Sequence, residues 1–216
     1  MKAMIEVPSH LSEISLKQYQ KYVNIQEKND DTYFLQCKMI EIFCNVAHKD
    51  VLTFKMSDAD MITKKINDLI SQKPKLVESF YIKDVEFAFH PDIEDMTLGE
   101  YIDLDTYIGD WQNIHSAMNV LYRPVLKRSK GKYSVSDYNP NHKDIMLYMP
   151  LDAVISSVFF LLNLGIDLSI AMSHYLQEEG KKQQVQGLDL DNVGDGIKVF
   201  TDSLTEILQG LNISQN

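Results

Sequence analysis

The chain has 216 residues, of which 44% are apolar and 24% charged, and it contains only nine glycines and six prolines. Such a composition is typical of a folded globular protein and excludes extensive disorder. Acidic residues outnumber Lys and Arg by 31 to 21, which gives a net charge of -10. This balance opposes general binding to a nucleic-acid backbone, which depends on Lys and Arg neutralising phosphates.

The first 75 residues predict an N-terminal lobe of three short helices. Ser15 and Gln18 form a capping-box pattern at the start of the first helix. The polar run 29–31 ends that helix and caps the second. The third helix is expected to open at Ser57 and to end before Pro74.

Residues 76–180 are predicted to form a second unit that combines a β-hairpin with a helical core. Apolar residues alternate around a central Lys-Asp pair over about residues 79–90, which indicates two short antiparallel strands. Thr97 and Glu100 then form a second capping box, and another helix is expected from Trp111 until Pro124 prevents its continuation. The charged stretch 126–142 has the composition of a loop with at most one short strand.

A long apolar helix is predicted from Pro150 onward. Its apolar run, Ala153 to Ile166, covers only about 14 residues, whereas a membrane-spanning helix needs roughly 20. We therefore expect a buried core helix and no membrane association. Gly165 is expected to divide this helix in two.

The last unit, residues 181–216, is predicted to be a polar linker followed by an amphipathic helix. Two interpretations remain open for the apolar face of that helix. It packs on the core of its own chain, or it is a tethered arm that docks in a groove of a neighbouring subunit. The candidate partner-binding residues on this face are Ile197, Phe200, Leu204, Ile207, Leu208 and Leu211.

Together these elements predict a mainly α protein. Its fold class is a multi-helix domain with one small β-hairpin and a C-terminal amphipathic helix. The expected units are 1–75, 76–180 and 181–216.

No motif in the sequence indicates catalysis or a cofactor. Phosphate-binding loops, nucleophile elbows, zinc-binding histidine pairs and dinucleotide-binding turns are missing from the sequence. An acidic run from Glu100 to Asp110 is better explained by a solvated helix face. A second run, starting at Asp189, resembles a calcium loop but places Val193 and Phe200 where oxygen ligands are required. We therefore expect neither a metal site nor an enzyme.

A basic strip is the candidate for contact with a polyanion. It is either a solvated loop or a docking loop for an acidic protein surface or for passing DNA, without sequence specificity. Arg123 differs from these residues because it stands at a helix end, where a guanidinium can bridge helix carbonyls to a carboxylate. The strip consists of Lys127, Arg128, Lys130 and Lys132.

Four segments together suggest a relationship to known proteins. They are residues 7–20 (VPSHLSEISLKQYQ), 96–105 (MTLGEYIDLD), 119–125 (NVLYRPV) and 149–152 (MPLD), the last leading into a helix with Phe159 and Phe160. Over about residues 5–176 the chain resembles a family of uncharacterised proteins of tailed bacteriophages, especially the crAss-like phages of gut Bacteroides.

This resemblance implies a virion structural protein without enzymatic activity. The expected role is an oligomeric head–tail connector or neck protein, or a tail-proximal ring subunit, with portal, ring or tail proteins as partners. The protein would then reside in the virion, and in the host cytoplasm during assembly. The alternatives are a tail-assembly chaperone that is absent from the mature particle and a cargo protein packaged inside it.

Overall fold

The computed structural model describes residues 5–179 and 190–210. In it, local capping residues set the starts of the first two α-helices. Ser15 and Gln18 form the predicted capping box, which is thus confirmed. Asp31 caps the second helix by accepting hydrogen bonds from two backbone N–H groups. Ser57 is not a cap, because the fourth helix already begins at Met56, after Lys55. These helices are α1 (Leu16–Gln26), α2 (Thr32–Phe43), α3 (His48–Val51) and α4 (Met56–Ile70).

The predicted fold class is wrong in one respect, because the β structure is a four-stranded antiparallel sheet and not one small hairpin. The protein is therefore a mixed α/β protein. The hairpin expected near residues 79–90 forms one side of this sheet. The strands follow one another in chain order as β1 (Ser79–Ile82), β2 (Val85–Phe89), β3 (Tyr122–Ser129) and β4 (Lys132–Val135).

The second hairpin was not predicted because its sequence has the composition of a loop. Pro124 is paired with Phe87 on β2, and the pairing with β4 begins only at the next residue, Val125. On the β4 side the strand therefore needs no N–H donor at position 124, which is why a proline is tolerated there. Lys130 and Gly131 both have positive φ values, 50° and 78°, as a tight two-residue hairpin turn requires. Of the basic residues that suggested a loop, Lys127, Arg128 and Lys132 lie on these strands with exposed side chains, and Lys130 lies in the turn.

Four further α-helices follow in the described part of the chain. The capping box of Thr97 and Glu100 is confirmed. The helix expected from Trp111 begins only at Ile114. Gly165 does not divide the long apolar helix, which is continuous, so that prediction is wrong. The helices are α5 (Leu98–Ile108), α6 (Ile114–Leu121), α7 (Leu151–Glu179) and α8 (Leu190–Gly210).

One hydrophobic core contains residues from Leu11 to Leu208. The N-terminal helices are tied to the start of α7 by backbone hydrogen bonds, including one from Leu151 N–H to the Ile14 carbonyl at 2.8 Å. The sheet packs its aromatic face on α7. At its centre, the fully buried Tyr122 donates its hydroxyl hydrogen to the Val77 carbonyl at 2.8 Å. Burial of aromatic surface of this kind is a major source of stability.

Helix α7 is the one candidate for a membrane span in the described part of the chain. Residues Leu151–Ala171 have a mean hydropathy of 1.9, and half of the most apolar window is buried inside the protein. Core helices meet the same criteria of length and composition. Since the buried half packs on the sheet and on α1, this helix does not by itself indicate a membrane.

A close approach between α7 and α8 explains the glycine inside α7. A Cβ atom on Gly165 would lie 2.6 Å from the Cγ2 atom of Thr201 on α8. The absence of a side chain at this position therefore permits the two helices to pack directly.

Substituting Gly165→Ala is expected to lower the free energy of unfolding by about 1–3 kcal/mol, because the added methyl group overpacks this contact. Adding Thr201→Ser, which removes the opposing methyl group, should recover part of the loss. The matched control is Gly99→Ala in α5, where a Cβ would meet no atom within 4 Å. Urea unfolding of the four proteins tests this. Equal effects at Gly165 and Gly99 would contradict the contact.

Candidate interaction surface

The basic strip predicted from the sequence lies around the β3–β4 turn, and all four of its side chains are exposed. Arg128 is held on the sheet by an ion pair with Glu86, and its guanidinium lies 5.1 Å from the ring centre of Tyr133. Lys127, Lys130 and Lys132 form no ion pair with any described residue. The arginine thus stiffens the hairpin, and the lysines are free to meet a partner.

A leucine accompanies these lysines on the hairpin. The pairing of β3 with β4 shifts register between Val125 and Lys127, so Leu126 has no partner on β4. Its side chain is 70% exposed. Leu126 was not predicted as a contact residue, because a single exposed leucine is common on protein surfaces. We call Leu126–Lys132 the basic hairpin tip.

The C-terminal helix directs part of its apolar face into its own chain. Leu204, Ile207 and Leu208 are buried in the hydrophobic core. The Ile207 carbonyl accepts a hydrogen bond from the indole N–H of Trp111 at 3.3 Å. Leu211 and the side chains of the other two candidate residues, Ile197 and Phe200, lie outside the described part of the structure. In the described region α8 therefore packs as a core helix.

An apolar groove that was not predicted lies between α5 and α7, with the short turn Ile93–Asp95 at its edge. Its volume is about 440 Å³. Leu98 and Tyr101 on one wall are 74% and 52% exposed, and Leu168 on the other is 52% exposed. We call this feature the α5/α7 groove. Its apolar lining includes Met96, Leu98, Tyr101, Leu161, Leu164 and Leu168.

The surroundings of the α5/α7 groove are acidic. Neither residues 92–122 nor residues 144–180 contain a single Lys or Arg. Four exposed carboxylates on the elements that form the groove make no ion pair with any described residue. The sequence predicted a solvated face for the carboxylates of α5 and gave no sign that they lie near those of α7. The four residues are Glu94, Asp95, Asp105 and Asp167.

The groove and the basic hairpin tip are neighbours on the same face of the molecule. A second depression, of about 650 Å³, adjoins the α5/α7 groove and shares Ile93, Glu94 and Leu164 with it. Gly131 and Lys132 line this second depression. A single face therefore presents a basic projection and, beyond the turn at Ile93, an acidic apolar concavity.

The other members of the α5 acidic run serve the fold. The Nη2 atom of Arg123 lies 2.8 Å from Oε1 of Glu100, and both side chains are less than 10% exposed. This contact is an ion pair and not an aligned hydrogen bond. The Nε atom of Arg123 donates to the Val120 carbonyl at 3.1 Å, so the predicted bridge from a helix carbonyl to a carboxylate is confirmed. Asp103 accepts a hydrogen bond from the Tyr138 hydroxyl at 2.7 Å.

Burial raises the pKa of Glu100, but hydrogen bonds from Thr97 and the charge of Arg123 outweigh that effect, so the net pKa lies below the ordinary value. The carboxylate is therefore charged at neutral pH.

Asp110, the last residue of the acidic run, caps the following turn by accepting a hydrogen bond from the Gln112 N–H at 2.8 Å. Over residues 5–179 and 190–210, no group of three or more His, Cys, Asp or Glu side chains has the arrangement of a metal site. The calcium-like run begins at Asp189, outside these ranges.

Another depression, between α2 and α4, is larger at about 800 Å³. Its lining contains charges of both signs, Asp60 and Lys64, and Gln36 already donates hydrogen bonds to Asp60 and Thr63 within it. In the α5/α7 groove an apolar lining occurs together with charges of a single sign, and this depression does not have that combination.

The chain matches no protein-family model, no curated protein and no solved structure.

Proposed function

We propose that the protein is a structural subunit of a tailed-bacteriophage particle, either an oligomeric head–tail connector or neck protein or a tail-proximal ring subunit. One observation supports this role most directly. A single face combines a basic projection, the hairpin tip, with an acidic apolar groove. The phage setting is part of the proposal and rests on the resemblance suggested for residues 7–20, 96–105, 119–125 and 149–152.

The physical character of the face suits repeated assembly. Stable protein interfaces have an apolar centre with a polar rim and bury about 800 Å² on each partner. When different surfaces of identical subunits join, the contacts close into a ring if the rotation between subunits permits it. A projection and a groove of opposite charge are two such different surfaces. The proposed location is the virion, and the host cytoplasm during assembly, with portal, ring or tail proteins as neighbours.

A second candidate is a tail-assembly chaperone that leaves before the particle is complete. The open α5/α7 groove favours it, because such a groove can hold an apolar segment of another protein. A packaged cargo protein is the third alternative. Contact with DNA would be confined to the hairpin tip, since the acidic groove beside it repels phosphate.

Copy number in the particle distinguishes these candidates. Quantitative mass spectrometry of gradient-purified phage particles, scaled to the major capsid protein, should find roughly a dozen copies if the protein forms a ring. A far larger and variable number would indicate cargo. Absence from particles, together with abundance in the lysate of infected cells, would indicate the chaperone and would contradict the structural role.

A further inference from the structure

We infer that the α5/α7 groove receives the basic hairpin tip of a second copy of this chain. This inference rests on the proposed function, because it names the partner that an oligomeric subunit would contact. It commits to one occupant, the loop Leu126–Lys132 of a neighbouring molecule. Three features support this occupant: the opposite charges of the tip and the groove, their similar dimensions, and the rigid position of the hairpin.

Charge complementarity points to this occupant. The tip offers Lys127, Lys130 and Lys132, and no described residue of the same chain pairs with them. The elements around the groove offer four exposed carboxylates that are also unpaired. Bringing the two sets together neutralises like charge that each would otherwise concentrate on its own surface. Complementary charges of this kind steer association and fix its register.

The shapes also correspond. Leu98, Tyr101 and Asp105 follow one another at spacings of three and four residues, so they form one stripe on α5. At 1.5 Å per residue this stripe is about 10 Å long. A hairpin has two strands about 5 Å apart and so is about 10 Å wide with its side chains. Leu126 on the tip is the apolar group that such a hairpin would place in the groove.

The tip cannot fill the groove of its own chain. Strand β3 is held in the sheet by pairing with β2 at Phe87–Phe89, and Arg128 ties the tip to Glu86 and Tyr133. Gly131 in its turn and Lys132 already line the neighbouring depression, on the far side of the turn at Ile93. A hairpin held in this position keeps Lys127 and Lys130 exposed and outside the groove of its own chain, so the complementary surface must come from another molecule.

Reversing the charge of the tip tests the inference. We expect the wild-type chain to self-associate at low ionic strength, and the tip variant K127E/K130E/K132E to raise the apparent dissociation constant at least about tenfold. The measurement is light scattering coupled to size-exclusion chromatography over a concentration series, with circular dichroism to verify folding. A control variant makes the same change of charge on exposed lysines in and next to the N-terminal helices, and it should associate like the wild type. The control is K28E/K49E/K55E.

A groove variant completes the design. The variant E94K/D95K/D105K has a basic tip and a basic groove, whereas the tip variant has an acidic tip and an acidic groove. Each alone should remain monomeric through repulsion of like charges. An equimolar mixture should associate again, because the tip of each variant then matches the groove of the other.

Restored association in the mixture supports the inference. A mixture that stays monomeric, a tip variant that associates like the wild type, or a wild-type chain that is monomeric at low ionic strength would overturn it. Leu126→Ser should weaken association even at 1 M salt, where surface charges are screened over about 3 Å. None of these outcomes changes the copy number in purified particles, so failure of the inference is separable from failure of the proposed function.

Discussion

Replacing Arg123 by Met is expected to lower the free energy of unfolding by about 3–5 kcal/mol, because the substitution leaves the buried Glu100 carboxylate without its counter-ion. The chain contains only one other arginine, Arg128, and it provides a matched control. Arg128 also forms an ion pair with a glutamate, but its side chain is 43% exposed. Arg128→Met should therefore cost less than about 1 kcal/mol.

Urea unfolding monitored by circular dichroism gives both values. The double variant Arg123→Met/Glu100→Gln should be more stable than Arg123→Met alone, because no unpaired charge then remains buried. A double-mutant cycle isolates the coupling between the two side chains. If Arg123→Met and Arg128→Met destabilise the protein equally, the Arg123–Glu100 pair is not the structural bridge described above.

The same ion pair predicts how stability depends on pH. The pKa of Glu100 in the folded chain is below its ordinary value of 4.5. The stabilisation from its charged form is therefore fully present above pH 4.5 and is lost as the pH falls through the lower, folded-state pKa. Titrating the unfolding midpoint of the wild type from pH 7 downward should show this loss. In the Glu100→Gln variant this part of the acid dependence should be missing.

The second large effect is expected in the C-terminal helix. Leu204 is fully buried, so Leu204→Ala should lower the free energy of unfolding by about 2–5 kcal/mol through lost burial and the cavity it leaves. Val199 lies on the same helix but is 64% exposed. Val199→Ala should change stability by no more than about 0.5 kcal/mol. Comparable effects of the two substitutions would show that α8 is not packed on the core.

Deleting residues 188–216 tests the two interpretations of this helix directly. Removal of α8 uncovers the apolar surface around Trp111 and leaves its indole N–H without the Ile207 carbonyl. We expect the shortened chain to lose cooperative unfolding. A shortened chain that unfolds cooperatively but no longer associates would instead identify the helix as a docking arm.

Local sequence alone was sufficient for several features. The capping boxes at Ser15 and Thr97 require only residues three positions apart, and the first hairpin requires only alternation around a short turn. The bridging role of Arg123 followed from its position at a helix end. These features depend on contacts within a few residues along the chain, which a sequence pattern records directly.

Other features were decided by packing between distant segments. The glycine at position 165 inside α7 is explained by Thr201, thirty-six residues later in the chain, whose methyl group occupies the space that a side chain would need. Strand β3 forms despite Pro124 and its charges because β2 and β4 pair with its two halves in succession. Neither feature can be predicted from a local sequence pattern, because each depends on a contact with a distant segment of the chain.

The candidate site shows the same division. The sequence alone shows that Lys127, Arg128, Lys130 and Lys132 stand close together and that an acidic run extends from Glu100 to Asp110. The apolar groove arises because folding brings α5 and α7, more than forty residues apart in the chain, together beside these carboxylates. Folding also places the hairpin tip beside that groove on one face. Charge content is a property of the chain, whereas a concave surface exists only where separate elements pack side by side without filling the space between them.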